Sequence, residues 1–318
     1  MVEVIFFVLT MIGLALFEIV SSIDNAVINA DVLSTMSLKS RKWFMLWGII
    51  IAVFVVRGLL PFIIVYILNP SLGFWGVIHA TLVGDQAVLQ AIEASAPPLL
   101  AGGGTFLIFL FFHWLFLEPK HYGLSGERYI QRKAIWFYVV VSVLLSSIIW
   151  FSVKVNPLMA FGAAMGSTAF FIVHGFKQNA ELREREMIRN FRMSDWSKIM
   201  YLEVIDMTFS IDGVLGAFAF TLFVPLILLG NGIGAIVVRQ ITVSNIENVK
   251  KYKYLKNGAM YSVAFLGVIM LLDAFGAHVP SYVSPVITVL IVAYFFMKSK
   301  RELAKVAKEK IRVVSKIK

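Results

Sequence analysis

The sequence predicts an all-α membrane protein of about nine transmembrane helices, built on an inverted-topology repeat, with the N-terminus outside and the C-terminus cytoplasmic. Three observations carry this reading. Of 318 residues, 59% are hydrophobic and 15% charged, with a mean hydropathy of +0.83, whereas a soluble domain is charged at about 25% of its positions. The 29 Lys and Arg residues are distributed very unevenly between alternate loops. Two carboxylate pairs with the same spacing, Glu18 with Asp24 and Asp206 with Asp212, lie inside strongly apolar sequence.

Crossing the hydrocarbon takes about 17 to 25 apolar residues, and runs of that kind lie at approximately 4–26, 43–68, 100–118, 134–153, 157–176, 199–220, 222–240, 258–276 and 281–298. The first run follows Glu3 rather than a basic segment and has no small-residue cleavage site, so it reads as a span and not as a leader. Between the second and third runs, residues 69–104 contain Pro70, Pro97, Pro98 and three successive glycines, with Asp85 and Glu93 but no Lys or Arg. This external stretch is either a surface helix with loops or a re-entrant lid.

In the fifth run, Gly162, Gly166 and Ser167 have the spacing of a close helix contact. The loop at 177–198 alternates Glu181, Arg183, Glu184, Arg185 and Glu186, as in a solvated helix laced with charge pairs. Residues 299–318 form a basic tail, expected as an amphipathic helix on the anionic inner leaflet. The chain thus divides as one polytopic domain, 1–318: repeat 1 over about 1–118, connecting helices over about 119–176, a cytoplasmic loop at 177–198, repeat 2 over about 199–298, and the tail.

With the N-terminus outside, the basic loops at Lys39–Lys42, Lys120–Lys133, Lys177–Lys198 and Lys250–Lys256, and the tail from Lys298, all fall on one side. The other side holds only Lys154, and Arg57 and Arg239 lie within runs. The positive-inside rule makes the basic side cytoplasmic. The net charge of +10 therefore reports topology in a multi-pass protein of the cell membrane, and no nucleic-acid partner is expected. The absence of cysteine excludes disulfides, thiolate metal centres and cysteine nucleophiles, which leaves metal chemistry to oxygen and imidazole.

A charge at the centre of a spanning helix costs about 2.5 to 3.5 kcal/mol on insertion scales, so four such carboxylates point to a site. Glu18 and Asp24 lie on a span directed inward, Asp206 and Asp212 on one directed outward. Each pair is followed by a run with small residues and an arginine: Gly48 and Ala52 before Arg57, and Gly232, Gly234 and Ala235 before Arg239. Inverted copies with polar groups near the midplane are the mark of secondary transporters working by alternating access.

Members of a pair six positions apart sit about 120° apart around an unbroken helix. They meet one ligand only if the helix unwinds locally, which Ser21, Ser22 and Asn25 in the first motif, and Thr208, Ser210 and Gly213 in the second, would permit. Glu203 and Asp206 share a helix face and add a third carboxylate to the second copy. Such oxygen ligands favour hard divalent cations. Asn25 and Asn231 are either further ligands or interhelical hydrogen-bonding residues. Arg57 and Arg239 either neutralise an ion-free site or snorkel to the membrane face. His113, His174 and Asp273 read as hydrogen-bonded structural groups near helix ends.

The segments Phe17-Glu18 through Ser22-Ile23-Asp24-Asn25, and Glu203-Val-Ile-Asp206-Met-Thr-Phe209-Ser210-Ile211-Asp212, resemble the two signature motifs of TerC-type integral membrane proteins. The likeness extends to Asn231 through Arg239 and to Tyr254 through Gly258. The resemblance implies a multi-spanning cation exporter, with manganese(II) the best-supported substrate and tellurite resistance the origin of the family name. It also implies that Glu18, Asp24, Glu203, Asp206 and Asp212 are the ion-site carboxylates. Gly213 departs from the family, which commonly has serine there, and the 69–104 insert is longer than the pattern.

The expected function is efflux of a divalent cation, Mn2+ first and Ca2+ or Mg2+ next, with no resident cofactor and with proton coupling as an option. An intramembrane aspartyl hydrolase is disfavoured because no Gly-x-Gly-Asp sequence occurs, so no enzyme activity is expected. The alternative is a non-transporting scaffold for a metal or tellurite stress-response complex, recruited through Glu181–Ser197 and the tail. Oligomeric state, coupling ion and transport direction stay open at this stage.

Overall fold

The computed structural model describes residues 2–48, 51, 57–68, 70–83, 96–189, 193–244 and 251–317. Among these the regular elements are all helical. In order they are α1 (Val2–Ser21), α2 (Ile23–Leu33), α3 (Leu38–Trp43) running into a π turn (Phe44–Gly48), α4 (Arg57–Leu68), α5 (Phe74–Val83), α6 (Ala96–Phe116) and α7 (Glu127–Gln131). Then follow α8 (Trp136–Val155), α9 (Pro157–Arg189), α10 (Asp195–Ala217), α11 (Val224–Ser244), α12 (Leu255–Ala274) and α13 (Val283–Ile317).

Among the described residues, 7 helices are long and apolar enough to cross a membrane: α1, α6, α8, α9, α11, α12 and α13. The chain is a multi-pass membrane protein. Two of the expected runs have a different character. The run at 199–220 is α10, a continuous helix whose apolar sequence is interrupted by Glu203, Asp206 and Asp212. The run at 43–68 is divided among the end of α3, the π turn and α4, and residues 49, 50 and 52–56 lie outside the described residues.

α8 is rich in β-branched and aromatic residues, yet it is helical, because in hydrocarbon each N–H and C=O must be satisfied within its own segment. It turns Val139, Val143, Trp150 and Phe151 outward, as a lipid-facing helix does. α6 is at the opposite extreme: 78% of its apolar window is buried within the protein, against 22% for α8. A Cβ added at Gly162 would collide with the Pro98 carbonyl, and one at Gly166 with the Gly102 carbonyl, so the α6 and α9 backbones touch. On the other side, a Cβ at Gly104 would come within 2.9 Å of the Gly267 carbonyl of α12. Phe106, Phe109 and Trp114 of α6 pack here with Met159 and Phe170 of α9 and with Leu266 and Met270 of α12.

The glycine run at 102–104 therefore belongs to the most enclosed helix rather than to an external segment. Pro97 and Pro98 occupy its first turn, where no intrahelical N–H bond is forfeited. Of the rest of that insert, α5 is helical and residues 84–95 lie outside the described residues. The two charged extensions are helical continuations: α9 runs on to Arg189, and α13 continues from the last span to Ile317 as one helix of 35 residues.

Candidate functional site

The start of α10 is fixed by its cap and by the turn between α2 and α3. Ser194 Oγ accepts from Ser197 N at 3.2 Å, and Asp195 Oδ2 accepts from Ser37 N at 3.0 Å. Hydrogen bonds from Ser37 and Ser40 hold the Asp195 carboxyl below the usual carboxylate range. Lys198 Nζ donates to Thr35 Oγ1 at 2.9 Å. Beneath these polar ties, Val32, Leu33, Met36 and Phe44 pack on Ile199 and Leu202. The outcome is that α2 and the π turn lie against the carboxylate-bearing part of α10.

There, Asn29 Nδ2 donates to Asp206 Oδ1 at 3.1 Å, and Arg239 Nη1 of α11 donates to Asp206 Oδ2 at 2.9 Å. Arg239 Nη2 lies 3.6 Å from Glu203 Oε1, which gives one guanidinium two carboxylates. Its Cζ is 4.0 Å from the centroid of the Phe44 ring, a cation–π arrangement. Gly48 closes the cluster, since a Cβ there would collide with Glu203 Oε1 and Arg239 Nη2. Asn29, Glu203, Asp206 and Arg239 are all buried. Asp206 is paired and hydrogen-bonded, whereas Glu203 Oε1 and Oε2 and Arg239 Nη2 have no hydrogen-bond partner among the described residues and rely on the 3.6 Å ion pair, so removal of either charge is costly.

Asp212 faces elsewhere. Its Oδ2 is 2.5 Å from Lys177 Nζ of α9, and its Oδ1 is buried with no hydrogen-bond partner among the described residues. The pair borders a cavity of about 520 Å³, lined also by Ser22, His113, Glu118, His174 and Lys256. Across it Lys256 Nζ meets Glu118 Oε2 at 2.7 Å and His113 Nδ1 lies 3.4 Å from Glu118 Oε1. Burial works to raise the Glu118 carboxyl, but the close approach of His113 and the charge and hydrogen bond of Lys256 outweigh it and hold the group well below its ordinary value. The His113 and His174 rings lie 3.7 Å apart between centroids.

Glu18 forms the third part. It is fully buried and accepts at Oε1 from Ser22 Oγ at 2.7 Å. A Cβ at Gly213 would lie 2.8 Å from Glu18 Oε2, and one at Gly234 would lie 2.6 Å from Glu18 Cβ, so α10 and α11 both close on this side chain through glycine. The glycine at 213, where serine is common in the resembled family, gives the Glu18 carboxylate its room.

The two motifs differ in backbone. Ser22 (φ −90°, ψ 2°) separates α1 from α2, an interruption between Glu18 and Asp24. The second motif is not unwound: α10 runs without a break through Asp206 and Asp212, and the two carboxylates meet different partners on different faces, as a regular helix requires. Glu203 and Asp206 do share a face, both meeting Arg239. The side chains of Asp24, Asn25 and Arg57 lie outside the described residues. Asn231 is 1% exposed, and neither atom of its amide has a hydrogen-bond partner among the described residues. Among those residues, no three His, Asp or Glu side chains converge as a metal-binding group.

Lys177, Asn29, Phe44, Glu118 and Lys256 were not anticipated as site residues. Lys177 closes an apolar run and reads as the start of a loop, and the available signal was its place one turn after His174. Asn29 had a plainer signal, lying one turn after Asn25.

A family model described as "Protein of unknown function (DUF475)" matches residues 23–305. The chain is 26% identical over 176 residues to the "Uncharacterized membrane protein YceF" of Bacillus subtilis (strain 168), a match covering 55% of this chain and 64% of that protein. The chain thus spans under two thirds of the length of that relative. No solved structure matches.

Proposed function

The chain belongs to the DUF475 family, and from that premise and the site geometry we propose that it is a secondary transporter of the cell membrane exporting a divalent metal cation, Mn2+ foremost. The observation that carries the reading is the state of the α10 carboxylates. Glu203 and Asp206 lie buried among apolar helices, Asp212 has a side chain only 14% exposed, and each is answered by a cation of the protein itself, Arg239 or Lys177. A purely structural charge network gains little from such burial, whereas a carrier must neutralise its acidic groups whenever it crosses the membrane cycle without cargo.

In this reading the unbroken helix keeps Asp206 and Asp212 from sharing one ion: Asp24 and Asp212 meet across the pseudo-twofold, and Glu18, Glu203 and Asp206, with Asn25 and Asn231 as amide oxygens, take the cargo at a separate stage, after the internal cations give way. Arg239 belongs to the ion-free state, and Arg57 is its counterpart in the first copy. The two copies would rock about a pseudo-twofold axis in alternating access, with the basic face cytoplasmic and the tail on anionic lipid. Protons are the proposed counter-ion. The TerC-type motifs support manganese, and oxygen ligands support a hard cation.

The test is flux into proteoliposomes across a panel of Mn2+, Ca2+, Mg2+ and Zn2+ with an imposed pH gradient. Mn2+ flux is expected, with Asp206→Asn and Asp212→Asn each abolishing it in protein that still inserts. Wild-type flux in both variants would remove the carboxylates from the mechanism.

A further inference from the structure

The two internal cations are held in different ways. Arg239 is 5% exposed, stacked on Phe44 and walled by Gly48, so its planar guanidinium has nowhere to go without a helix movement. Lys177 instead lines the 520 Å³ cavity that borders its partner Asp212. An ammonium on a flexible four-carbon stem can swing from carboxylate to cavity by side-chain rotation alone. Asp212 offers a second, independent feature: Oδ2 meets Lys177, while Oδ1 is buried without a hydrogen-bond partner among the described residues.

We propose that Lys177 is a tethered counter-cation that competes with the transported ion for Asp212. It neutralises Asp212 while no ion is bound and is displaced into the cavity when a divalent cation takes the carboxylate. The proposal rests on the ion-transport reading above and adds the residue that the cargo displaces and the chamber through which it arrives. The chamber suits the exchange. Among the described residues its acidic groups are Asp212 and Glu118 and its lysines are Lys177 and Lys256, one lysine per carboxylate. Glu118, at 28% side-chain exposure and already paired with Lys256, presents a carboxylate to the displaced ammonium within the same space. Arg239 stays on Glu203 and Asp206 during this step, because displacement of Lys177 requires no backbone movement.

The experiment measures Mn2+ binding to the purified full chain, and both net Mn2+ flux and Mn2+/Mn2+ exchange in proteoliposomes. For Lys177→Gln, the dissociation constant is expected to fall roughly tenfold, within the range usual for coupled sites. Exchange persists in that variant, while net flux drops because the ion-free carrier returns with Asp212 uncompensated. Lys177→Arg moves binding the other way, since a fixed bidentate partner is harder to displace. Binding unchanged from wild type in either variant, or loss of exchange together with net flux in well-folded Lys177→Gln, overturns the proposal and leaves the transport reading standing. Absence of Mn2+, Ca2+ and Mg2+ flux in the wild type overturns both.

Discussion

Arg239 holds two carboxylates with one guanidinium, which sets what each substitution in that cluster does. Arg239→Gln leaves Glu203 and Asp206 buried without compensation and is expected to cost about 3 to 5 kcal/mol, read by denaturant unfolding in micelles. Adding Glu203→Gln and Asp206→Asn to that variant removes the stranded charges and is expected to recover most of the loss, a non-additivity that a mutant cycle measures. Glu118 supplies a pH signature outside the spans. Its folded carboxyl titrates below the unfolded value, so its contribution is present above the ordinary carboxylate range. It is lost as pH falls through that range toward the folded value. Glu118→Gln is expected to flatten the fall in melting temperature between neutral and acid pH relative to wild type, and an unchanged slope would assign that fall to other groups.

At the scale of elements, two contacts decide whether the bundle forms around the site. Gly102, Gly162 and Gly166 bring the α6 and α9 backbones together, and α9 in turn delivers Lys177 to Asp212. Gly166→Val forces those backbones apart and is expected to cost at least about 1 to 3 kcal/mol, seen as a lower melting temperature and a reduced yield of folded protein. The second contact is Glu127 of α7, which is 1% exposed and accepts from Gly123 N at 2.7 Å, Leu124 N at 3.0 Å, Asn257 Nδ2 at 3.1 Å and Tyr261 Oη at 3.0 Å. Glu127→Ala strands those donors and is expected to cost on the order of 3 kcal/mol, with Glu127→Gln intermediate.

Long apolar runs made most of these helices legible in the sequence, because hydrocarbon length and backbone satisfaction leave few alternatives. The carboxylates of α10 were legible for the same reason, as charges where charge is expensive. What periodicity could not show was partnership. Lys177 and Arg239 reach partners on a neighbouring helix far away in sequence, and a lysine at a span end reads the same whether its stem turns toward water or inward. In the sequence the glycines at 102–104 read as the end of an external stretch, because a helix-contact face and a surface loop share a composition.

For the molecule as a whole, the uneven distribution of Lys and Arg makes a topological prediction that this chain is well suited to test, since it contains no cysteine. Single substitutions Lys154→Cys and Lys133→Cys place one thiol at each end of α8, both at exposed positions. A membrane-impermeant maleimide is expected to label Lys154→Cys on intact cells and Lys133→Cys only after permeabilisation. The reverse pattern would invert the orientation and, with it, the direction assigned to transport.

α10 has one further consequence as a rigid body. It is unbroken between Asp206 and Asp212, and the helices that hold these residues, α11 and α9, lie in different directions from its axis. A turn of α10 about that axis carries Asp206 off Arg239 and Asp212 off Lys177 by the same angle, so the two ion pairs loosen together. Two ion pairs on different faces of a single rod thus lock its angular position, and releasing one leaves the other as a pivot. Spin-label distances from α10 to α9 and to α11 are expected to broaden together in Lys177→Gln or Arg239→Gln relative to wild type, and unchanged distributions in both variants would remove the lock.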